Sequence, residues 1–242
     1  MSAAPVVQSV FRTCINTPSK IWSKIWKRSV PRWASIKSAC SATVTAACSP
    51  RLYALKYQQH LSHLVLASTF PSTSKMNEVL AREKAYLPPD KLARLEALEK
   101  AGLYGKGAAW EQGRYSEEYQ KLAWGDGYFP FLFGARPDPT YDPTTANATT
   151  DWELYREMWG SDGEFVIDGN LRSVEYLDRL ATIRVPTLII AGDHDECDPA
   201  LAREMQEKIG GSKLVILPNS GHMAFEDQPK LWIEKVRDFV NQ

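Results

Sequence analysis

Three short runs of apolar residues along the chain are typical of buried strands. They span His63–Ser68, Pro186–Ala191 and Lys213–Leu217. After each of the last two runs, apolar residues recur at a spacing of three or four, which is the repeat of an amphipathic helix. These helical positions are Leu201, Met205 and Ile209, followed by Trp232, Val236, Phe239 and Val240. Buried strands that alternate with amphipathic helices predict an α/β fold with a parallel sheet.

The long stretch between the first two runs has a different pattern. Leucines at positions 92, 95, 98 and 103 lie between charged residues, which predicts helices, and Pro and Gly interrupt the pattern as far as about residue 170. We interpret residues 71–172 as a helical cap inserted into the α/β fold. Its second half is rich in aromatic residues, which either line a substrate cleft or pack the core of the cap, the more ordinary role. They are Trp110, Tyr115, Tyr119, Trp124, Tyr128, Phe129, Phe131 and Phe133.

Polar residues that could carry chemistry follow the last two predicted strands. Asp195 stands in the loop Gly192-Asp193-His194-Asp195-Glu196, and His222 ends the loop Ser220-Gly221-His222. The carboxyl ends of parallel strands meet at one edge of a sheet, where α/β folds bind ligands. Asp followed by His is also the order of the last two members of an α/β-hydrolase triad. We therefore predict that His222 is a general base and that Asp195 fixes its tautomer.

Neighbouring polar residues are predicted to have other roles. Asp193 is expected to cap the loop rather than to take part in catalysis. His63 and His194 lack the strand and loop context of His222, so we expect them to be structural or exposed. Asp198-Pro199 is typical of a helix N-cap followed by a proline in the first turn, and Gly210-Gly211 of the end of that helix.

The region from Val185 to Glu226, which contains V-P-T-L-I-I-A-G-D-H-D-E-C-D-P and S-G-H-M-A-F-E, resembles the C-terminal part of proline iminopeptidases. The cap segment from Met158 to Leu171 resembles the glutamate-bearing motif of the same family, and the similarity extends over roughly 53–242. The resemblance implies an incomplete α/β-hydrolase fold made of the C-terminal strands and helices of the sheet plus the cap. It also implies that Glu164 and Glu196 bind the free α-amino group of a peptide or amino-acid amide, with no cofactor. A carboxylate pairs with an ammonium group through charge-assisted hydrogen bonds.

The nucleophile of such an enzyme is absent from the chain as written. An α/β-hydrolase carries its serine in a tight G-x-S-x-G turn, and neither that motif nor an H-G-G-P-G loop occurs here. Family order places the serine just before Tyr53, where the chain reads C-S-A-T-V-T-A-A-C-S-P over residues 40–50. Read one base out of frame, the codons of 41–47 permit G-H-S-Y-G-G. Those of 33–41 permit an apolar strand, and those of 22–33 an amphipathic helix.

The charge distribution also separates the N-terminal part from the rest. The first 77 residues contain ten basic and no acidic residues, whereas the whole chain has 29 of each. We interpret residues 1–52 as a non-homologous basic segment, out of frame or disordered, and residues 53–242 as a partial α/β-hydrolase domain. A mitochondrial presequence is the alternative, because such segments are basic, rich in serine and free of acids. The expected compartment is the cytoplasm, or the mitochondrion if the basic segment is genuine.

Other classes of function find little support in the sequence. No apolar run is long enough to span a membrane. Three of the four cysteines lie in residues 1–52, the non-homologous basic segment, which argues against a zinc site or a disulfide framework. The remaining part is acidic and has no glycine-rich phosphate loop, so we expect no nucleic acid or nucleotide partner. Two alternatives to an aminopeptidase remain: a noncatalytic targeted or binding protein on this fold, and a hydrolase of amino-acid amides or esters. The oligomeric state and the preferred N-terminal residue stay open.

Overall fold

A four-stranded parallel sheet forms the base of the protein in the computed structural model. The structure describes the backbone of residues 38–42 and all of residues 54–102, 105–134, 142–144 and 150–242. The strands are β1 (Ser38–Ala42), β2 (Leu61–Ala67), β3 (Thr187–Gly192) and β4 (Lys213–Leu217), and they lie side by side in that order. The three predicted strands are therefore confirmed, two of them with ends shifted by one or two residues.

Alternation of side chains along the two central strands builds a core on each face of the sheet. Leu64 and Leu66 of β2 pack on one face with Ile189 and Ala191 of β3. Their neighbours in sequence pack on the other face: Val65, Ala67, Leu188 and Ile190. Since all six residues of β3 are buried, this strand is covered on both sides, as in other parallel sheets.

The α-helices and the shorter helical segments complete the chain. The α-helices are α1 (Thr73–Lys84), α2 (Pro89–Lys100), α3 (Glu117–Gln120), α4 (Phe129–Leu132), α5 (Trp152–Trp159), α6 (Pro199–Lys208), α7 (Ala224–Asp227) and α8 (Pro229–Val240). A π-helix spans Lys121–Tyr128, and 3-10 helices span Gln58–His60, Asn170–Ser173 and Leu177–Thr182. No helix in the described part of the chain is long and apolar enough to cross a membrane.

Helices α6 and α8 cover opposite faces of the sheet, and their sequence pattern explains why. Ala202 and Met205 of α6 join the core that contains Leu64. Phe239 of α8 joins the core that contains Val65, with Trp232, Val236 and Val240 packed against it. The side chain of Asp198 accepts a hydrogen bond from the backbone N–H of Ala200, so the predicted N-cap of α6 is confirmed.

Helices α1 to α5 lie between β2 and β3 in sequence, in the stretch interpreted as a cap. A two-stranded antiparallel hairpin, Trp110–Glu111 with Arg114–Tyr115, lies among them. The side chain of Ser72 caps α1 by accepting a hydrogen bond from the N–H of Lys75. Most of the aromatic residues pack into one core with Leu95 and Leu98 of α2, which supports the packing interpretation. The buried ones are Trp110, Tyr115, Tyr119, Tyr128 and Phe129.

Candidate active site

The loop that carries Asp195 begins where β3 ends and is tied to the loop that carries His222. The carboxylate of Asp193 accepts hydrogen bonds from the backbone N–H groups of Asn219 (2.9 Å) and Ser220 (3.0 Å). The predicted capping role of Asp193 is therefore confirmed, and the loop that it caps is the one after β4. Gly192 is required at the end of β3, because a Cβ there would overlap the carbonyl oxygens of Ser220 and Gly221.

The loop after β4 is also held from the cap side. The N–H of His222 donates to the carbonyl of Phe131, and the N–H of Met223 donates to that of Leu132, both at 2.8 Å. These acceptors belong to α4, so the backbone of His222 is fixed between the sheet edge and the cap. Gly221 permits this contact, since a Cβ at that position would overlap the backbone of Phe131 and Leu132.

Asp195 and His222 form a buried hydrogen-bonded pair. Nδ1 of His222 lies 2.8 Å from Oδ1 of Asp195, and the same oxygen accepts the N–H of Cys197 at 2.9 Å. A carboxylate next to Nδ1 favours the tautomer with its proton on Nδ1, which leaves Nε2 free to accept a proton from a reacting group. The structure thus brings together the two residues predicted to act as a base and its partner.

The electrostatics of this pair depend on a second carboxylate. Oε1 of Glu196 lies 3.6 Å from Nδ1 of His222. Burial acts to lower the pKa of His222, but the negative charges of Glu196 and Asp195 outweigh burial and raise that pKa to about 9. Burial acts to raise the pKa of Asp195, yet the charge and hydrogen bond of His222 hold it below its usual range. In the ligand-free protein at neutral pH, His222 is therefore a protonated imidazolium that lies beside the carboxyl groups of Asp195 and Glu196.

Glu164 lies in the loop after α5, and aromatic side chains hold both its backbone and its carboxylate. Its N–H donates to the hydroxyl of Tyr119, and its carbonyl accepts from the hydroxyl of Tyr128 and Nε1 of Trp159, at 2.8 to 3.0 Å. The hydroxyl of Tyr155 lies 2.6 and 2.7 Å from the two carboxylate oxygens. These contacts fix a buried carboxyl group whose position sequence spacing alone could not give.

The loop around Glu164 keeps its shape through Asp168 and Gly160. Oδ1 of Asp168 accepts the N–H of Ser161 at 3.0 Å, and its backbone N–H donates to the carbonyl of Trp159. Gly160 has φ 118°, a conformation that glycine adopts readily, and a Cβ there would overlap the Asp168 carboxylate. This explains the spacing of the W-G-S-D-G-E-F-V-I-D-G motif that precedes Asn170.

Burial raises the pKa of Glu164 to about 8, although the hydrogen bond from Tyr155 acts in the opposite direction. Burial is also the main cause that raises the pKa of Glu196, ahead of the effects of His222 and Asp195. Burial and the negative charges of Glu164 and Glu196 raise the pKa of the Tyr155 hydroxyl. All four predicted site residues, Glu164, Asp195, Glu196 and His222, are thus buried, and the charge of Glu196 acts on both Glu164 and His222.

Two members of this cluster were not identified from the sequence. Tyr155 lies nine positions before Glu164 on α5, among other aromatic residues that pack together, so its pattern is that of core packing. Glu83 lies in the last turn of α1 and is only 4% exposed. Its sequence context, R-E-K, is typical of a solvated helix surface, and nothing in it signals burial.

The expected place of the nucleophile can be located relative to the sheet. Strand β1 runs parallel to β2, and Ala42 at its end pairs with Leu66, which in turn pairs with Ile189. Strand β1 therefore ends at the same edge of the sheet as the strands that precede the Asp195 and His222 loops. Residues 43–47, where the shifted frame permits a serine turn, lie outside the described residues, as does the proposed helix of 22–33.

Three side chains of the site are of types that can bind a metal ion. Within the described residues, Asp195, Cys197 and His222 offer ligand atoms that lie within 4.8 Å of one another. Two of these groups already bind each other, and the side chain of Cys197 is buried and forms no disulfide. The arrangement is that of an acid–base pair with an adjacent thiol.

Comparison with known proteins places this site in a family context. A family model described as the alpha/beta hydrolase fold matches residues 51–229, which is most of the chain. Among curated proteins, the proline iminopeptidase of Lactobacillus helveticus is 27% identical over 187 residues, which is 77% of this chain and 59% of that protein. The proline iminopeptidase of Clostridium botulinum is 28% identical over 191 residues, or 78% of this chain and 61% of that protein. The chain spans about three fifths of the length of these relatives.

Solved structures give the same fold. The crystal structure of proline iminopeptidase from Mycobacterium smegmatis superposes with a TM-score of 0.67 at 21% identity, covering 94% of this chain and 74% of that one. The crystal structure of VinJ gives a TM-score of 0.70 at 23% identity, covering 90% and 70%. The resemblance to proline iminopeptidases and the α/β-hydrolase fold, both predicted from sequence motifs, are thereby confirmed.

Proposed function

Because the chain belongs to the α/β-hydrolase fold family, we propose that it carries the acid–base and substrate-recognition parts of a serine aminopeptidase similar to proline iminopeptidases. The observation that carries this proposal is the buried Asp195–His222 pair, 2.8 Å apart, with Glu196 only 3.6 Å from the same imidazole nitrogen. A base placed next to a carboxylate suits a substrate whose first residue carries both a free α-ammonium group and the carbonyl that is attacked.

The roles follow from the chemistry of each group. Glu164 and Glu196 bind the α-ammonium group of the substrate in a buried site, where charge-assisted hydrogen bonds are strong. When the ammonium group offsets the charge of Glu196, the pKa of His222 falls, and Nε2 of the neutral ring takes the proton of a nucleophilic hydroxyl, which attacks the carbonyl carbon of the first residue. The imidazolium then gives that proton to the leaving amine, and a water molecule releases the acyl group by the same sequence. Asp195 holds the ring in place and stabilises its charged form.

The chain as written supplies no G-x-S-x-G serine for the first step, so we predict that it does not cleave peptides. We propose that the open reading frame over residues 22–57 differs from that of the intact gene. In support, β1 lies beside β2 and ends at the edge of the sheet where the shifted reading of 41–47 permits G-H-S-Y-G-G. Loss of one triad member costs about four to six orders of magnitude in kcat, so residual activity should be at background.

The proposal is tested first at the gene and then by assay. Genomic DNA and transcript are sequenced across the codons of 22–57, and the written and frame-restored proteins are assayed with prolyl p-nitroanilide and its N-acetylated form. We expect the frame-restored protein to cleave prolyl p-nitroanilide but not its N-acetylated form, and we expect the written protein to cleave neither. In that protein Asp195→Asn and His222→Ala should reduce kcat at least about 1000-fold.

His194→Ala is the matched control, because His194 lies in the same loop and its side chain is 37% exposed. It should leave kcat within about twofold of the parent. Robust cleavage by the written chain, or retention of activity in His222→Ala, would contradict the proposal. Equal rates on the free and acetylated substrates would instead favour an esterase or amidase without ammonium recognition.

A further inference from the structure

Glu83 is a buried acid that none of the roles above uses. It is 4% exposed, and its Oε2 has no hydrogen-bond partner among the described residues. It also lies in the last turn of α1, where the negative end of the helix dipole disfavours an acidic side chain. Burial without a partner and an unfavourable helix position both cost stability, and such costs are concentrated at functional sites.

The buried carboxyl of Glu83 is close enough to the proposed ammonium site for the charges of that site to act on it. The groups that act on its carboxyl are Glu196, Asp195 and Asp198, which are acidic, and Arg82, the only basic one among them. The guanidinium of Arg82 is engaged with Asp198 at 2.7 Å. The hydroxyl of Tyr128 donates to the carbonyl of Glu164 at 3.0 Å, and the charges of Glu164, Glu196 and Glu83 all act on it.

The positive charge of the cluster is already paired with other carboxyl groups. Within the described residues, His222 is the buried basic side chain of this site, and it is engaged with Asp195 and Glu196. Glu164 receives a hydroxyl hydrogen bond but no cation. A buried carboxyl group that lacks both a hydrogen bond and a counterion is stabilised when a cationic ligand enters.

We propose that Glu83 is a third carboxylate of the ammonium site and binds the α-ammonium group of the substrate together with Glu164 and Glu196. This inference rests on the function proposed above. In the ligand-free protein the carboxyl of Glu83 is protonated, since burial and the charges of Glu196 and Asp195 raise its pKa to about 9. When an ammonium ion binds, Glu83 releases that proton to solvent and becomes the third anionic partner.

Calorimetric titration of the full chain with L-prolinamide tests this without any need for a nucleophile. N-acetylprolinamide, which has no ammonium group, is the ligand control. Titration in buffers of different ionisation enthalpy gives the number of protons released. We expect Glu83→Gln to release about one proton fewer than the parent at pH 7, since glutamine does not titrate. Its affinity should be close to that of the parent at pH 6 and at least tenfold weaker at pH 8.

Three further variants make the outcome decisive. Glu78→Gln, an exposed acid on the same helix, should bind and release protons like the parent. Glu83→Met, an apolar side chain of similar length, should fold and bind no more tightly than Glu83→Gln. Unchanged proton release and affinity in Glu83→Gln, with loss of binding in Glu164→Gln, would overturn the role of Glu83 alone. No binding of prolinamide by the parent at any pH would overturn the proposed function as well.

Discussion

Protonation of Glu83 should make the stability of the folded protein depend on pH, and Glu83→Gln should remove a defined part of that dependence. The pKa of Glu83 is about 9 in the folded protein, and in the unfolded chain it has the ordinary glutamate value of 4.5. A group with a raised pKa stabilises the fold fully below its unfolded pKa, and that contribution is lost as pH rises through its folded pKa. Each pH unit within this window costs about 1.4 kcal/mol.

The interval from pH 5 to pH 6.5 isolates this effect from that of His222. The raised pKa of His222 affects stability mainly near and above its ordinary value of 6.5, and His222 and Glu164 are present in both proteins. Over this interval the parent should therefore lose about 2 kcal/mol more free energy of unfolding than Glu83→Gln. Glutamine has a similar shape and does not titrate, so any loss of packing in the variant is the same at each pH.

Urea denaturation followed by tryptophan fluorescence at pH 5.0, 5.5, 6.0 and 6.5 measures the difference. Glu78→Gln on the exposed face of α1 is the control, and its curve should run parallel to that of the parent. Parallel curves for Glu83→Gln and the parent would refute the reasoning, because they would mean that Glu83 is ionised throughout. A difference that appears only above pH 6.5 would assign the effect to His222 instead.

Two further substitutions test the geometry around His222. Gly192→Ala forces a Cβ against the carbonyls of Ser220 and Gly221, so it should destabilise the fold by about 3 kcal/mol or more in urea denaturation. Stability within 1 kcal/mol of the parent would show that the two loops can separate at little cost. Glu196→Gln removes one of the two negative charges, Glu196 and Asp195, that raise the pKa of His222, so this pKa should fall from about 9 toward 6.5. NMR titration of the His222 ring measures it, and an unchanged value would contradict the 3.6 Å contact.

The comparison of sequence with structure is most informative at Asp195 and His222. Both follow short apolar strands, and the rule that parallel strands end at one edge of a sheet is enough to bring them together. The same logic found the N-cap at Asp198, since capping depends on residues adjacent in sequence. Features of this kind depend on local periodicity or on topology, and both are visible in one sequence.

Glu164 shows where the sequence alone is no longer sufficient. Resemblance to a family motif marked it as an ammonium ligand, but its burial and its hydrogen bond from Tyr155 depend on how α5 packs against the hairpin and the π-helix. That packing joins side chains far apart in sequence, such as Tyr119 and Glu164. No local pattern encodes such contacts.

Glu83 is the clearest case of a property that only the tertiary structure decided. By itself, the sequence determined strands β2 to β4, the helices α6 and α8 that cover them and the edge at which Asp195 and His222 meet, because apolar periodicity and chain order can be read along the chain. The charged neighbours of Glu83, Arg82 and Lys84, are typical of a solvated helix surface, so nothing in the local sequence indicates that this acid is buried. Packing of the end of α1, where Arg82 pairs with Asp198, buried that acid within reach of the charge of Glu196, and burial, not residue type, sets its charge.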